Sequence, residues 1–470
     1  MNDNINRRTI LASSAAMAAG AVLKTSAARA VTNQALATEG RSYGGRDKSI
    51  SRAKALWSKP LPPGLPHRDY LPVVVPNAGT LPFKIVDGVK VFHMVAMELW
   101  NEFVPGLKAL VWGYNGMLNP VLEAVEGERV RIYVTNRLPE KTTVHWHGVY
   151  VDNGMDGVGG LTQKPILPGE TYKYEFNLVE PGTKMYHPHY DEMTQIALGM
   201  TGMFVIHPRK PRYRVDRDFA IMLHEWSIVP GTYRPNPLEM TDFNVFTMNG
   251  KSFPSTHPLV ARTGQRVRIR LGNLGPMDHH PIHLHNYSFQ VVGSDGGDYP
   301  PSAWQPETTV LVPVGSTRVV EFDATNPGDW AMHCHMTHHM MTQMGHHFGN
   351  MIGVKPGNLG HKMRQLLPQY MTMGQDGMGS PMGIPTMANT APVEGGKGPY
   401  GFIDMGGMFT IVKIRDHITN YDDVGWYAPE APKGTVAEPA EKRDLHRDGI
   451  NPETIPAPIP GPSSPAAPLM

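Results

Sequence analysis

One cysteine in 470 residues, Cys334, excludes an internal disulfide framework and any iron–sulfur or zinc site that needs several thiolates. Charge of either sign is not in excess: 43 Lys and Arg stand against 42 Asp and Glu. No long basic run offers a footing for nucleic acid or an anionic membrane surface, so neither partner is expected. Long apolar runs are also missing, which argues against a membrane span. What is plentiful points elsewhere. The 49 Gly and 44 Pro imply many turns and speak against a helical bundle. A hydrophobic fraction of 40% still suffices for a packed core. Two counts are high, 22 His and 29 Met. With a single thiol available, any metal held by this chain has to be held mainly by imidazole.

Residues 6–30 read as an address. Arg7 and Arg8 precede a modest apolar stretch, and Ala28-Arg29-Ala30 has the small-x-small form of a cleavage site. The apolar part is short and broken by Lys24, too little to span a bilayer. Twin arginines suggest export of a folded protein by the Tat route. An ordinary Sec signal is the alternative, and either reading puts the mature protein in the periplasm or outside the cell.

The chain then repeats itself. Gly127-Glu-Arg-Val-Arg-Ile-Tyr-Val-Thr-Asn136 parallels Gly264-Gln-Arg-Val-Arg-Ile-Arg-Leu-Gly-Asn273, both with the period-2 alternation of a half-buried strand. His145-Trp-His147 follows the first, and His283-Leu-His285 the second, at nearly the same offset. Further on, Pro181-Gly182 leads into His187-Pro-His189 as Pro327-Gly328 leads into His333-Cys-His335. Short alternating strands separated by turn residues predict an all-β chain, one β-sandwich per copy. The organisation read from this is a leader over 1–30, an arm over 31–75 and two domains over 76–210 and 211–356. A Met-rich segment with one extra strand (Met408 to Ile414) then occupies 357–415, followed by an irregular Pro-rich tail over 416–470.

Residues i and i+2 of a strand face the same way, so each His-x-His offers two imidazoles side by side. Four such pairs supply eight imidazoles, too many for one mononuclear site and suited to a cluster of several ions. Cys334 is the middle residue of the last pair, and alternation turns its sulfur to the opposite face. His280 lies three residues before His283, His339 five residues after Cys334, and Met344 ten residues after it. One Cys, two His and a more distant Met match a trigonal blue-copper site with a weak axial thioether. His338 competes with His339 for this role and His279 with His280, although spacing favours His280. The thiolate would hold one copper while its covalent neighbours His333 and His335 hold others, a short through-bond electron path.

The segments HWHG (145–148), HPH (187–189), HPIHLH (280–285) and HCHMTHHMMTQM (333–344) resemble the multicopper oxidases of the laccase type, built from cupredoxin domains with Greek-key sandwiches. The resemblance implies four coppers per chain. His280, Cys334 and His339, with axial Met344, would hold type 1 copper. His145 and His283 would hold type 2. His147, His187, His189, His285, His333 and His335 would hold the type 3 pair. It also implies one-electron oxidation of a small donor and four-electron reduction of O2 to two waters. Only 91 residues separate His189 from His280, which leaves no room for a middle domain. Two-domain members assemble as homotrimers, with each cluster between subunits; a monomer closing its own cluster is the alternative. Copy one has Thr142, Pro188 and Met193 where copy two has His280, Cys334 and His339, so it should lack a type 1 site.

Oxygen reduction consumes protons, and the stretch around Met155-Asp156-Gly157 resembles the family's DG…TQ…P-I-x-P-G segment, making Asp156 the candidate proton relay. Asp191 and Glu192 are weaker candidates, more in keeping with solvated or structural roles. An axial Met should give a lower potential than an apolar residue, suiting a phenol, an aromatic amine or a low-valent metal ion as donor. Met371, Met373, Met378, Met382 and Met387 recur in a Gly-rich stretch. Thioethers are soft ligands for Cu(I), which brings in copper tolerance; the same residues would equally serve as an adaptable apolar cover. Sequestration of copper in the periplasm is the alternative function, against which the Cys334 arrangement argues.

Overall fold

The computed structural model describes residues 54–229, 231–342 and 395–455, together with 52, 365–366, 388–389 and 391. The expected leader, Met344 and the five recurrent methionines lie outside the described residues.

The chain is all-β, as its alternation predicts. In the first half, strands Phe83–Val86, Val89–Val104, Arg129–Asn136 and Thr171–Asn177 lie in that order in one sheet, and Leu107–Tyr114 folds back on the long second strand. The facing sheet runs Val121–Val125, Gly202–His207, Gly182–Tyr186. In Arg129–Asn136 every second side chain (Val130, Ile132, Val134, Asn136) is buried. The three apolar ones pack with Trp146, Tyr174, Phe176 and Phe204 into the core of the first sandwich.

The second half repeats the plan. One sheet orders Val245–Met248, Arg217–Trp226, Arg266–Asn273, Ser316–Asp323 and Phe289–Ser294. The other orders Leu259–Arg262, Phe409–Arg415, Gly328–Cys334, His280–Leu284 and Thr309–Val312. Here the sequence reading needs correction. The strand near 408–414 is no appendage beyond a domain ending at 356: it lies inside this sheet, parallel to Leu259–Arg262 and antiparallel to Gly328–Cys334. All seven of its residues are buried. Its charged side chains are paired locally, Lys413 with Asp423 and Gly425, and Arg415 with Asp329 through one terminal nitrogen. The tail beyond it also contains a short helix, Lys442–Arg447.

The halves meet along a mixed seam. Val121, Met185, Met203 and Val205 pack on Ala220, Met222 and Leu274. Within it the buried Arg270 forks onto both oxygens of Asp218 at 2.8 Å and donates to Thr183 Oγ1 at 2.6 Å. That explains why the second copy's Arg266–Asn273 is buried on both faces in its latter part, unlike its counterpart. The arm before residue 75 is pinned by buried carboxylates: Gly64 N–H donates to Glu128 and Val73 N–H to Glu123. No helix among the described residues is long and apolar enough to cross a membrane.

Candidate metal centres

The two sandwiches deliver the histidines to equivalent places, at strand ends rather than strand middles. His145 bridges antiparallel to His187, and His283 stands opposite His333 in the ladder. Rings of His145, His147, His187 and His189 lie 5.4–6.1 Å apart in neighbouring pairs. His283, His285, His333 and His335 form a matching quartet at 4.9–5.7 Å. Among the described residues no ring contact joins one quartet to the other.

The hydrogen bonds set the tautomers. His187 Nδ1–H donates to the Pro188 carbonyl at 2.9 Å, and His333 Nδ1–H to that of Cys334 at 2.9 Å. His145 Nδ1–H donates to the Asp156 carbonyl at 2.8 Å, and His283 Nδ1–H to that of Thr308 at 2.7 Å. Four imidazoles anchored through Nδ1 turn Nε2 inward as a free lone pair, the arrangement of a metal ligand held by its outer shell. His147 Nδ1 and His187 Nε2 are 3.3 Å apart, and His285 and His333 Nε2 3.2 Å. Burial pushes His187 down to about 3 and also lowers His147, His285 and His333, so these rings are neutral and able to bind metal.

A second, separate set gathers His280, Cys334 and His339, all buried. His280 Nδ1 is 3.2 Å from His339 Nδ1 and 3.9 Å from Cys334 Sγ, and His339 Nδ1 is 3.5 Å from Sγ. A point equidistant from the corners of that triangle lies about 2.1 Å from each, a metal–nitrogen or metal–sulfur bond length. The donor set fits one copper ion of the His₂Cys type. Burial holds the thiol up at about 12 and His339 down at about 3, so an arriving metal meets a neutral His339 and displaces the thiol proton. Phe246, itself buried, stacks on His339 at 4.1 Å. The rival histidines point elsewhere: His338 is exposed, and His279 is exposed and accepts from Val314 N–H.

The corresponding place in the first half holds no such set. Thr142 donates to Gln195 Oε1 at 2.7 Å, and the amide of Gln195 donates to Lys141 O. Counting along the chain matched Met193 to His339, but Met193 is exposed and Gln195 is the residue facing Thr142.

Among the carboxylates, Asp156 Oδ1 lies 3.4 Å from His145 Nδ1 and is one-third exposed. Its loop is pressed onto the strand end: a Cβ at Gly157 would sit 1.8 Å from the Val144 carbonyl oxygen, so only glycine fits. Glu192 reaches His187 Nδ1 at 3.2 Å and His189 Nε2 at 3.6 Å, closer to the quartet than its sequence suggested. Asp191 instead accepts from Thr194 and opens a short helix. Sequence reasoning missed Phe246 and Glu225. Glu225 Oε2 is 3.3 Å from His280 Nε2. The signal was available for the latter, the one charged residue in the run Phe219 to Val229.

Two family models described as multicopper oxidase match the chain, over residues 99–211 and 230–353, and between them cover just over half of it. Copper resistance protein A of Escherichia coli is 28% identical over 275 residues, 48% of this chain and 44% of that protein. Laccase-1 of Botryotinia fuckeliana is 32% identical over 225 residues, 44% of this chain and 38% of the relative. The chain thus spans less than half the length of these curated relatives. Among solved structures, the multicopper oxidase mgLAC is 27% identical with a TM-score of 0.53, covering 71% of this chain and 89% of that one. The blue copper oxidase from Nitrosomonas europaea, 24% identical with a TM-score of 0.52 over 72% and 91% of the chains, shares the fold. With eight paired histidines, one buried Cys–His₂ set and both halves matched, the chain is a laccase-like member of the multicopper oxidase family.

Proposed function

We propose that the protein is an oxidoreductase coupling four one-electron oxidations of a small donor to the four-electron reduction of O2 to two waters. The observation that carries this reading is the position of Cys334. Its sulfur belongs to the buried three-atom set, while its chain neighbours His333 and His335 belong to the second quartet. A copper store needs ligands but no such covalent link. Relatives named as laccases and as copper resistance proteins support phenolic or aromatic donors and Cu(I) as the donor classes.

Bound copper would supply the one-electron redox steps and the oxygen chemistry. His280, Cys334 and His339, joined by Met344, would hold a type 1 ion. His145 and His283 would hold type 2, and His147, His187, His189, His285, His333 and His335 the type 3 pair, four coppers per chain in all. Anchoring of His145, His187, His283 and His333 through Nδ1 fixes the orientation of these four rings before any ion arrives. The Cys334 main chain joins thiolate to imidazole through bonds alone. Asp156, partly exposed and beside His145, would take protons from solvent at its carboxylate and pass them inward.

His285 and His335 are exposed in the single chain, and the two quartets make no ring contact with one another among the described residues. Both features fit a cluster completed between subunits, the first quartet of one with the second quartet of its neighbour, and the homotrimer is what the family resemblance implies. The segment 1–30 supports export by the Tat route to the periplasm or beyond.

The test is to load purified protein with copper, count copper per chain, and record its visible spectrum and its oxygen uptake with a phenol and with Cu(I). Four coppers per chain, an intense blue band and uptake without peroxide are expected. One copper per chain without uptake would overturn the enzyme reading and leave a copper carrier.

A further inference from the structure

Glu225 is a fully buried carboxylate at the end of strand Arg217–Trp226, and its contacts are few and specific. Oε1 accepts from Met277 N–H at 2.6 Å and from Asp278 N–H at 2.8 Å. Oε2 faces His280 Nε2 at 3.3 Å. Among the described residues no lysine or arginine contacts it. An anion taken wholly out of water without a cation is strongly unfavourable, so its environment must supply compensation. Two backbone donors and one imidazole donor supply part. The fold also makes room for it: a Cβ at Gly275 would lie 1.9 Å from Oε2, so the neighbouring turn is kept bare where the carboxylate sits.

We infer that Glu225 is a positioning residue for the blue site, fixing His280 with its proton on Nε2 and Nδ1 toward Cys334, and lowering the potential of copper held there. The inference rests on the copper assignment of His280, Cys334 and His339. Two backbone N–H groups hold Oε1 and the imidazole of His280 faces Oε2, so the carboxylate is placed to accept from all three. An imidazole whose Nε2–H is fixed by such an acceptor offers Nδ1 as its only lone pair, and Nδ1 is the atom that faces the thiol. The two redox states of a bound copper ion differ by one positive charge, and a carboxylate held 3.3 Å from the far ring nitrogen of a ligand favours the more positive state. The lower potential turns the site toward easily oxidised donors and lets electrons leave it readily for O2.

A merely structural Glu225 would brace the 275–278 turn and leave the potential alone. The deciding experiment is a redox titration of the blue band in the copper-loaded full chain, for wild type, Glu225→Gln and Gly275→Ala. Glu225→Gln removes the charge with little change of shape, and Gly275→Ala pushes the carboxylate from its place while keeping the charge in the chain. Both should retain the blue band and shift the oxidised-to-reduced equilibrium toward the reduced form by about tenfold or more, about 59 mV upward. Glu225→Asp, if it folds, should recover part of that shift. If Glu225→Gln does not fold, Gly275→Ala is read on its own. A blue band with an unchanged potential in the variants overturns this inference and leaves the oxidase reading intact. A wild type with no blue band overturns both.

Discussion

His283 stands directly opposite His333 across an antiparallel ladder, and the same relationship joins His145 to His187 in the first half. A cross-strand pair brings side chains within about 5 Å on one face, so the register alone assembles each quartet. Replacing His283 or His187 with alanine should therefore remove ions from the cluster and leave the Cys334 set untouched. Copper per chain falls, the blue absorption persists, and oxygen uptake is lost. Disappearance of the blue band from both variants would mean that the two centres are not separable as assigned.

Cys334→Ser makes the reciprocal case. The hydroxyl is a hard, weakly acidic donor and cannot replace the thiolate of a blue site. Visible absorption should vanish while most of the copper stays on the quartets, and turnover with any donor should fall below detection. Retained turnover would show that electrons enter without passing through the sulfur.

Much of this was legible in the sequence because the motifs repeat. Four His-x-His pairs at matched offsets announced two equivalent halves, and the lone cysteine between two histidines announced the second centre. The register of the first copy's Val130, Ile132 and Val134 followed from alternation alone. What escaped was non-local. Phe409–Arg415 read as an appendage because only tertiary pairing, across a long stretch of chain, reveals that it is an inner strand. Gln195 in place of Met193 was missed because a short helix, Glu192–Ala197, changes which residue faces Thr142. Glu225 gave a charge in an apolar run but no hint of its partner, 55 residues away.

Proton supply can be tested at Asp156. Its main-chain carbonyl anchors His145 whatever the side chain, so Asp156→Asn should keep the copper content. Loss of a general acid lowers a proton-coupled step by about 10²-fold or more, and oxygen uptake at saturating donor should fall accordingly. Asp156→Glu should recover part of the rate. Full activity in the asparagine variant would pass the role to Glu192, beside His187 and His189.

Copper-free protein should lose stability on mild acidification. Burial holds His187 and His339 near 3 and His224 near 4, all below the ordinary 6.5. The unfolded chain therefore takes up these protons first. Their contribution is complete above about pH 6.5 and is lost as pH falls from there toward 3. Carboxylates start from ordinary values of 3.8 and 4.5 and enter only lower in that range. Thermal unfolding of the apoprotein should give a Tm level at pH 7–8 and falling steadily below about 6.5. Copper, competing with protons for the same nitrogens, should move that fall to lower pH. A Tm unchanged from pH 8 to 4 without metal would contradict the buried, neutral state of these rings.

The seam between the halves rests on Arg270, and its loss should be felt in stability before chemistry. Its guanidinium forks onto Asp218 and reaches Thr183 in the other sandwich. Removing one partner of a buried ion pair leaves the other charge stranded, at a cost of about 3–5 kcal/mol. Arg268 lies 3.5 Å from Asp218 and would compensate in part, so Arg270→Ala belongs at the lower end, about 3 kcal/mol. Arg270→Lys keeps the charge but not the fork, and should fall between the alanine variant and wild type. Urea unfolding of the copper-free protein reads the difference as a lower midpoint with little change of slope. Each sandwich has its own core and its own quartet, so copper binding at low denaturant should survive in both variants. An alanine variant as stable as wild type would mean that the apolar contacts of Met185, Met203 and Met222 hold the seam without it.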